Sequence, residues 1–270
     1  MVDLKQLMTT AAEAADKLML AGLNDVHQYH AKGDRDYALS VDLDVEREVK
    51  SILAASEIPV LGEEFAWQGE QQSERFWVVD PVDGTINYAR GIPLCGICIA
   101  LVQNGQAVLS CISLPFLNEF YIAEKDRGAT LNNAPLSTSP VNQLNEAIVA
   151  LGDFAVGNNS EEKNRLRLSL VNALAPHVMR IRMLGSAAVQ LAWLAAGRLD
   201  ISVILSNNAW DVQAGVLIAR EAGALVCDGD GSHHTTDSRY ALASTPPLAS
   251  ALLARLAMAE DDVSKIVTTS

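Results

Sequence analysis

The sequence predicts an α/β fold in two parts, and a change in the order of its elements near residue 140 is the main evidence. Before this point, helical patterns precede apolar runs joined by short turns, which is typical of helices packed on an antiparallel sheet. After it, short apolar runs alternate with longer helical patterns, as in an α/β unit. We therefore expect an N-terminal α+β half over residues 1–140 and a C-terminal α/β half over residues 141–270, joined without a flexible linker.

In the first half, apolar residues at helical spacing predict a helix from Leu4 that ends near Gly22, and a second helix from Asp42 to Ser56. The stretches 29–40 and 65–74 are polar and are predicted to be loops. Asn104-Gly105 is a strong signal for a hairpin turn. Strands are predicted at 58–61, 76–79, 95–102, 106–113, 119–123 and 129–131.

In the second half, Asn159 and Glu162 have the spacing of a capping box, in which each side chain satisfies a free amide at a helix start. Helices are predicted at 159–175, 186–197, 210–222 and 246–258, and strands at 147–151, 178–184 and 199–205.

Composition narrows the classes of function. The formal charge of −13 and the pI near 4.7 oppose binding to the phosphate backbone of nucleic acids, but they are compatible with binding of multivalent cations. The N-terminus lacks the pattern of a signal peptide, and no apolar run approaches the roughly 20 residues that span a bilayer. We expect a soluble, cytoplasmic protein without a membrane or nucleic-acid partner.

Cysteine and histidine patterns favour structural roles. Cys95 and Cys98 form a CxxC pair, but strand alternation places them on opposite faces, and no second pair completes a zinc site. His233 and His234 lie in a polar, turn-rich stretch and are predicted to be solvated.

The chemistry is concentrated after the apolar run at 76–79. Pro81 has no N–H to give and is predicted to end this strand, so that Asp80 and Asp83 lie at its open end. Gly84-Thr85 follows, where a flexible backbone and a hydroxyl can approach an anion closely. Carboxylates for a metal beside amides for an anion predict a cation-bridged phosphate site.

Further carboxylates stand at other element boundaries. Glu63-Glu64 follows a short apolar run, and Asp42 and Asp211 stand at predicted helix starts. Each alone also fits a structural role, because helix N-termini favour Asp and strand ends are often solvated.

Together these stretches resemble one family. Residues 80–93, DPVDGTINYARGIP, fit the signature D-P-x-D-G-T-x-N-x-x-x-G-x-P, and residues 210–215, WDVQAG, fit W-D-x-x-A-G. With GEE at 62–64 before them, they resemble the inositol monophosphatase family of Mg²⁺-dependent, lithium-sensitive phosphatases. The resemblance extends over essentially the whole chain and implies a layered αβαβα fold and a homodimer.

The resemblance also implies the metal ligands. Glu63, Asp80 and the Val82 carbonyl would hold one Mg²⁺, Asp80, Asp83 and Asp211 a second, and Glu63 would help to hold a third through water. Hard oxygen donors favour Mg²⁺, with Mn²⁺ as a substitute, over zinc.

The remaining roles follow in the same way. Asp42 and Thr85 would orient and deprotonate the attacking water, with Glu63 as a third catalytic group. The Gly84 and Thr85 amides would bind phosphate oxygens. The resemblance places Gly185, Ser186 and Ala187 beside the alcohol portion of the substrate and Lys32 near the third ion.

One position departs from the family pattern. Where the family has a Glu that contacts sugar hydroxyls, this chain has Ile204, followed by the small polar stretch 206–209. We therefore predict a Mg²⁺-dependent phosphomonoesterase for a small alcohol or sugar monophosphate. Histidinol phosphate, a nucleotide and fructose-1,6-bisphosphate stay open as substrates. A regulatory or binding protein that keeps the phosphatase fold is the alternative from another class.

Overall fold

The structure, a computed structural model, describes residues 2–23, 29–33, 36–69 and 73–269. A short antiparallel hairpin of β1 (Tyr29–Gly33) and β2 (Asp36–Leu39) leads directly into a helix at Ser40. This stretch was predicted to be a loop, and the prediction is wrong because the backbone pairs with itself despite its polar side chains.

The larger sheet has eight strands. They are β3 (Val60–Gly62), β4 (Ala66–Gln68), β5 (Arg75–Asp83), β6 (Gly96–Gln103), β7 (Gln106–Leu114), β8 (Glu119–Glu124), β9 (Ala129–Leu131) and β10 (Ala134–Pro135). Their order across the sheet is β10-β9-β8-β7-β6-β5-β3-β4, and only the β3–β5 pairing is parallel. The predicted hairpin at Asn104-Gly105 joins β6 to β7. The predicted loop at 65–74 contains β4.

The smaller sheet has five strands. They are β11 (Ile148–Leu151), β12 (Arg180–Met183), β13 (Ile201–Ile204), β14 (Leu225–Cys227) and β15 (Ala241–Ser244), in the order β12-β11-β13-β15-β14. The three predicted strands are present and pair in parallel. Sequence analysis missed β14 and β15, which are short and separated by a long polar stretch, and which pair antiparallel to their neighbours.

Helices cover and separate the two sheets. They are α1 (Leu4–Gly22), α2 (Ser40–Leu53), α3 (Thr85–Ala89), α4 (Ser160–Leu174), α5 (Ala187–Ala195), α6 (Ala209–Glu221) and α7 (Ala249–Thr269). The α1–α2 pair packs on one face of the larger sheet, α5 and α6 fill the space between the sheets, and α4 and α7 cover the outer face of the smaller sheet. The predicted layered αβαβα fold is therefore confirmed. No helix in the described ranges is both long enough and apolar enough to span a bilayer.

Side-chain alternation in β6 shows how the sequence encodes these layers. Ile97 and Ile99 contact the α1–α2 layer, whereas Cys98 and Ala100 contact the α5–α6 layer. Because both faces of the strand are covered by helices, every second residue is buried on each side and the run is apolar throughout. Cys95 lies in the first layer, opposite Cys98 as predicted, and the four thiols are buried and free.

Two local predictions are wrong. Pro81 does not end the strand, because β5 continues to Asp83 through a register shift between Asp80 and Asp83. Such a bulge accommodates a residue that has no N–H for the ladder. Asn159 does not cap α4 with its side chain, because its backbone is left-handed, at φ +57°.

The packing of α5 on α6 allows a direct test. A methyl group added at Gly215 would lie 2.5 Å from Leu191 Cβ, which real structures do not allow. We expect Gly215→Ala to lower the free energy of unfolding by about 1 to 3 kcal/mol, because the central layer must shift. Urea unfolding measures this change.

Gly152→Ala is the matched control. A Cβ at Gly152 would meet its nearest neighbour, the Val203 carbonyl oxygen, at an ordinary 3.7 Å. Equal stability changes in the two variants would contradict close helix packing as the reason for Gly215.

Candidate active site

The predicted site residues meet at one cleft of about 240 Å³ between the two sheets. Those that line it are Glu63, Asp80, Val82, Asp83, Gly84, Thr85, Gly185, Ser186, Ala187 and Asp211. Glu63 follows β3, and Asp211 lies in the first turn of α6. The eight-stranded sheet and the α5–α6 layer therefore each supply part of the wall. The side chain of Lys32 lies outside the described residues.

Asp80 is the most deeply buried carboxylate of the cleft, with 2% of its surface exposed. Its Oδ1 accepts a hydrogen bond from the Val82 amide at 3.1 Å. Burial holds its pKa well above the usual range, and repulsion from Glu63, Asp83 and Asp211 raises the pKa further. The charged form of Asp80 is therefore costly until a cation neutralises it.

Asp83 connects the two sides of the cleft. It accepts hydrogen bonds from the Ser186 hydroxyl and, at 3.2 Å, from the Ala187 amide, at the start of α5. The Ser186 hydroxyl oxygen also accepts from the Val189 amide and so caps this helix. Burial raises the pKa of Asp83 to about 7, although these hydrogen bonds oppose the shift.

Asp42 lies behind the cleft wall and contacts it through Thr85. Thr85 Oγ1 lies 3.1 Å from Asp42 Oδ1 and 3.1 Å from the Val82 carbonyl oxygen. Asp42 Oδ2 accepts from the Leu39 amide at 2.9 Å, which fixes the carboxylate in the first turn of α2. Burial raises the pKa of Asp42 to about 7. The carboxylate and the hydroxyl form a pair that can take up a proton near neutral pH.

Asn87 holds the two glycine turns of the cleft together. Its Nδ2 donates to the carbonyls of Leu94 and Leu184, each at 2.8 Å. Gly84, at φ +85°, and Gly185, at φ +70°, adopt left-handed backbone that a side chain would strain. A Cβ at Gly185 would also lie 2.9 Å from Asn87 Nδ2. Asn87 therefore ties the segment that follows Gly84 to the turn at Gly185.

A buried ion pair that sequence analysis missed supports the turn at Glu63. Glu46 is fully buried, pairs with Lys50 Nζ at 2.8 Å, and accepts from the amides of Glu64 at 2.7 Å and Phe65 at 3.0 Å. Both residues lie on α2, where spacing alone indicates an ordinary surface pair. Their burial shows that they hold the carboxylate-bearing turn against this helix.

The donor set of the cleft fits a hard divalent cation. Its donors are carboxylates and a backbone carbonyl, and no cysteine is among the described residues that line it. Burial raises the pKa values of the Cys95 and Cys98 thiols, which disfavours the thiolates that a softer metal would need. No three His, Cys, Asp or Glu side chains within the described ranges are close enough together to ligate an ion as they stand. The carboxylates thus line the cleft without forming a closed ligand set.

Several cleft residues were missed by sequence analysis. They are Gly152, Asp153, Arg167, Gln190 and Leu205. Arg167 lies on α4, where it looked like one of many polar residues on an amphipathic helix. Its Nε donates to the Asp153 carbonyl at 2.9 Å and its Nη1 to the Lys163 carbonyl at 3.1 Å.

The prediction that His234 is solvated is wrong, because only 1% of its surface is exposed. Its Nε2 lies 2.8 Å from Asn207 Oδ1, while Asn207 Nδ2 contacts the carbonyls of Thr235, Thr236 and Ser238 at 2.7 to 3.1 Å. The asparagine therefore anchors a polar loop and is not available as a substrate contact. From the stretch 206–209, Ser206 lines the cleft.

Comparison with known proteins identifies the family. The model of the inositol monophosphatase family matches residues 3–261. The chain belongs to this family. It is therefore a phosphatase of the phosphoric monoester hydrolase class, as the signature residues predicted.

Relatives of this chain carry different names. The chain is 36% identical over 236 residues to a probable inositol 1-monophosphatase, ImpA, of Mycobacterium tuberculosis, which covers 87% of this chain and 86% of the relative. It is 36% identical over 230 residues to the Nus factor SuhB of Xylella fastidiosa, which covers 84% and 82%. Among solved structures, an extragenic suppressor protein SuhB from Bartonella henselae superimposes with a TM-score of 0.87 at 28% identity, over 94% of this chain and 98% of that one.

His234 makes the fold sensitive to acid. Burial and the nearby Arg220 lower its pKa to about 4. A lowered pKa means that the folded chain binds the proton less readily than the unfolded chain, so this stabilisation is complete above about pH 6.5 and is lost as pH falls towards 4. We expect the stability advantage of the wild type over His234→Gln to shrink by about 2 to 3 kcal/mol between pH 7 and pH 4.

Urea unfolding at each pH measures the difference. His177→Gln, which removes an exposed imidazole, serves as the control for the loss of a histidine. A stability difference for His234→Gln that does not change with pH would contradict burial of a neutral imidazole.

Proposed function

We propose that this family member hydrolyses a small phosphomonoester with Mg²⁺ bound in the cleft. The observation that carries the proposal is the set of four carboxylates on one cleft, with Asp80 buried and repelled by the other three. Without a cation, carboxylates held this close repel one another. Bound divalent cations neutralise them and make the arrangement favourable. Glu63, Asp80, Asp83, Asp211 and the Val82 carbonyl would hold two or three Mg²⁺, with Mn²⁺ as a substitute.

The ions and the protein groups have separate tasks. Bound Mg²⁺ would lower the pKa of the attacking water and neutralise charge on the phosphoryl oxygens. The Thr85 hydroxyl would orient this water, and Asp42 would accept its proton through Thr85, for which a pKa of about 7 is suited. Glu63, at the end of the adjacent parallel strand β3, would assist as a third catalytic group. The amides of Gly84 and Thr85 would bind phosphate oxygens.

The alcohol portion of the substrate would contact the walls formed by Gly185, Ser186 and Ala187 on one element and by Ile204 and Ser206 on another. Ile204 is an apolar residue that cannot accept a hydrogen bond from a sugar hydroxyl. Inositol is therefore one candidate among several. Relatives include proteins named inositol-1-monophosphatase and, from Thermotoga maritima, fructose-1,6-bisphosphatase/inositol-1-monophosphatase, at 34% identity each.

A regulatory role is the second candidate, since several relatives are named Nus factor SuhB. Retention of the whole carboxylate set in the cleft favours catalysis, because a binding scaffold does not need it. A homodimer, lithium sensitivity and cytoplasmic location stay predictions. Apolar side chains at Phe154, Met179 and Met183, each exposed by more than 40%, are compatible with a subunit contact.

Phosphate release from inositol-1-phosphate, histidinol phosphate, fructose-1,6-bisphosphate and a nucleoside monophosphate tests this function. We expect turnover with Mg²⁺, complete loss in excess EDTA, and recovery when Mg²⁺ is restored, because without the ions the carboxylates of the cleft repel the reacting phosphate. Full activity in EDTA would overturn the proposal.

Matched substitutions on α2 test the proton acceptor. We expect Asp42→Asn to lower kcat by about 100- to 10,000-fold, because the amide cannot take the proton from Thr85. Asp44→Asn removes an exposed carboxylate two residues away, which pairs with Arg47, and should keep wild-type kcat. Equal activity of the two variants would remove Asp42 from the mechanism.

A further inference from the structure

Arg167 is the one cationic side chain among the described residues that line the cleft. The rest of the lining is acidic or uncharged, in a chain whose formal charge is −13. A guanidinium is therefore an exception at this site.

The guanidinium has hydrogen-bonding capacity to spare. Its contacts are the two carbonyls of Asp153 and Lys163, which use one N–H on Nε and one on Nη1. Arginine has five N–H groups, so three have no acceptor among the residues that the structure describes. None of the ion pairs found in the described part of the chain includes Arg167. The two carbonyls fix the orientation of the side chain, and the nearby Asp153 carboxylate, which forms no direct ion pair with it, stabilises the charged guanidinium and so opposes the lowering of its pKa.

The half-buried surroundings of Arg167 destabilise its charged form. Arg167 is half-buried, and burial lowers its pKa, which means that the site disfavours the cation. An anion bound at the free edge of the guanidinium would offset this cost, and planar, bidentate contact with a phosphate or carboxylate is the geometry that arginine favours.

There is also room for a substituent beyond the reacting phosphate. Arg167, Leu205 and Ser206 line both the cleft and a neighbouring pocket of about 680 Å³. This pocket has two further cations, Lys163 and Arg239, and two carboxylates, Glu162 and Glu260. Arg239 Nη1 lies 3.5 Å from Glu260 Oε1. An anionic group that extends from the cleft past Arg167 would therefore enter a pocket whose other charges balance.

We propose that Arg167 is a specificity residue that binds a second anionic group, a phosphate or a carboxylate, on the alcohol portion of the substrate. The inference rests on the proposed phosphatase function and narrows its substrate class. Ile204 cannot accept a hydrogen bond from a neutral polyol. The cleft would therefore select phosphate esters that carry a second anionic group. A neutral alcohol would leave the remaining N–H groups of the guanidinium without an anionic acceptor in a half-buried site.

Two matched substrate pairs test this selection. Fructose-1,6-bisphosphate and fructose-1-phosphate differ by a second phosphate, and glycerate-2-phosphate and glycerol-2-phosphate differ by a carboxylate. The measured quantity is the ratio of kcat/KM within each pair, with Mg²⁺ present. We expect the wild type to prefer, in at least one pair, the compound that carries the second anionic group. The pair that shows the preference then identifies the second group as phosphate or carboxylate.

Two substitutions on α4 complete the design. We expect Arg167→Met to reduce the preference by about 10- to 100-fold, since it removes charge-assisted hydrogen bonds to the second anion. Arg167→Lys should restore part of it, because a charge without the planar fork remains. Arg165→Met removes an equal charge from the same helix, at a side chain that is 41% exposed and paired with Glu161, and should keep the wild-type ratio.

The outcomes separate the two proposals. No preference in the wild type, or the same preference in Arg167→Met, overturns the anion site while the phosphatase function stands. If no compound is hydrolysed, the phosphatase function fails. Calorimetric binding of the same pairs with Mg²⁺ then tests the anion site. A binding preference that is lost in Arg167→Met supports the anion site, and the absence of any preference overturns it.

Discussion

Repulsion among the buried carboxylates of the cleft is the constraint on which the rest of this structure depends. Asp80 and Asp83 are almost fully buried, and their pKa values are raised because water cannot solvate the charges. Holding these groups together lowers the free energy of unfolding, and a cation offsets this loss only when it is bound. The stable layers around the cleft, with helices on both faces of each sheet, supply the packing that offsets this cost.

The same constraint explains why the site lies between two sheets and not within one loop. Asp83 accepts hydrogen bonds from Ser186 and Ala187, so the end of β5 is tied to the start of α5. Asn87 makes a second tie to the Leu184 carbonyl. These contacts join residues about a hundred positions apart in the chain. The cleft therefore forms only when both sets of elements have folded, which couples assembly of the site to assembly of the whole fold.

Sequence reasoning predicted most of this arrangement. Helical periodicity and strand alternation predicted the main layers, and the signature residues around Asp80 predicted the family. Features that depend on contacts distant in sequence were missed. The buried Glu46–Lys50 pair has the spacing of a surface pair, and Arg167 has the pattern of one more polar residue of α4. Asn207 is one residue of a small polar stretch, and its role as the anchor of a loop through His234 depends on contacts 27 to 31 positions away. Pro81 lies within β5. The rule that proline ends an interior strand therefore fails where a bulge accommodates the missing N–H.

The central claim, that buried carboxylate repulsion is relieved by a bound cation, is tested most directly by urea unfolding of the wild type and Asp80→Asn, with and without Mg²⁺. Without Mg²⁺, the account predicts that Asp80→Asn is the more stable protein, because the substitution removes one of the repelling charges. With Mg²⁺, the order should reverse, since only the complete carboxylate set binds the ions tightly and gains their binding free energy. The same order of stability in both conditions would contradict the account.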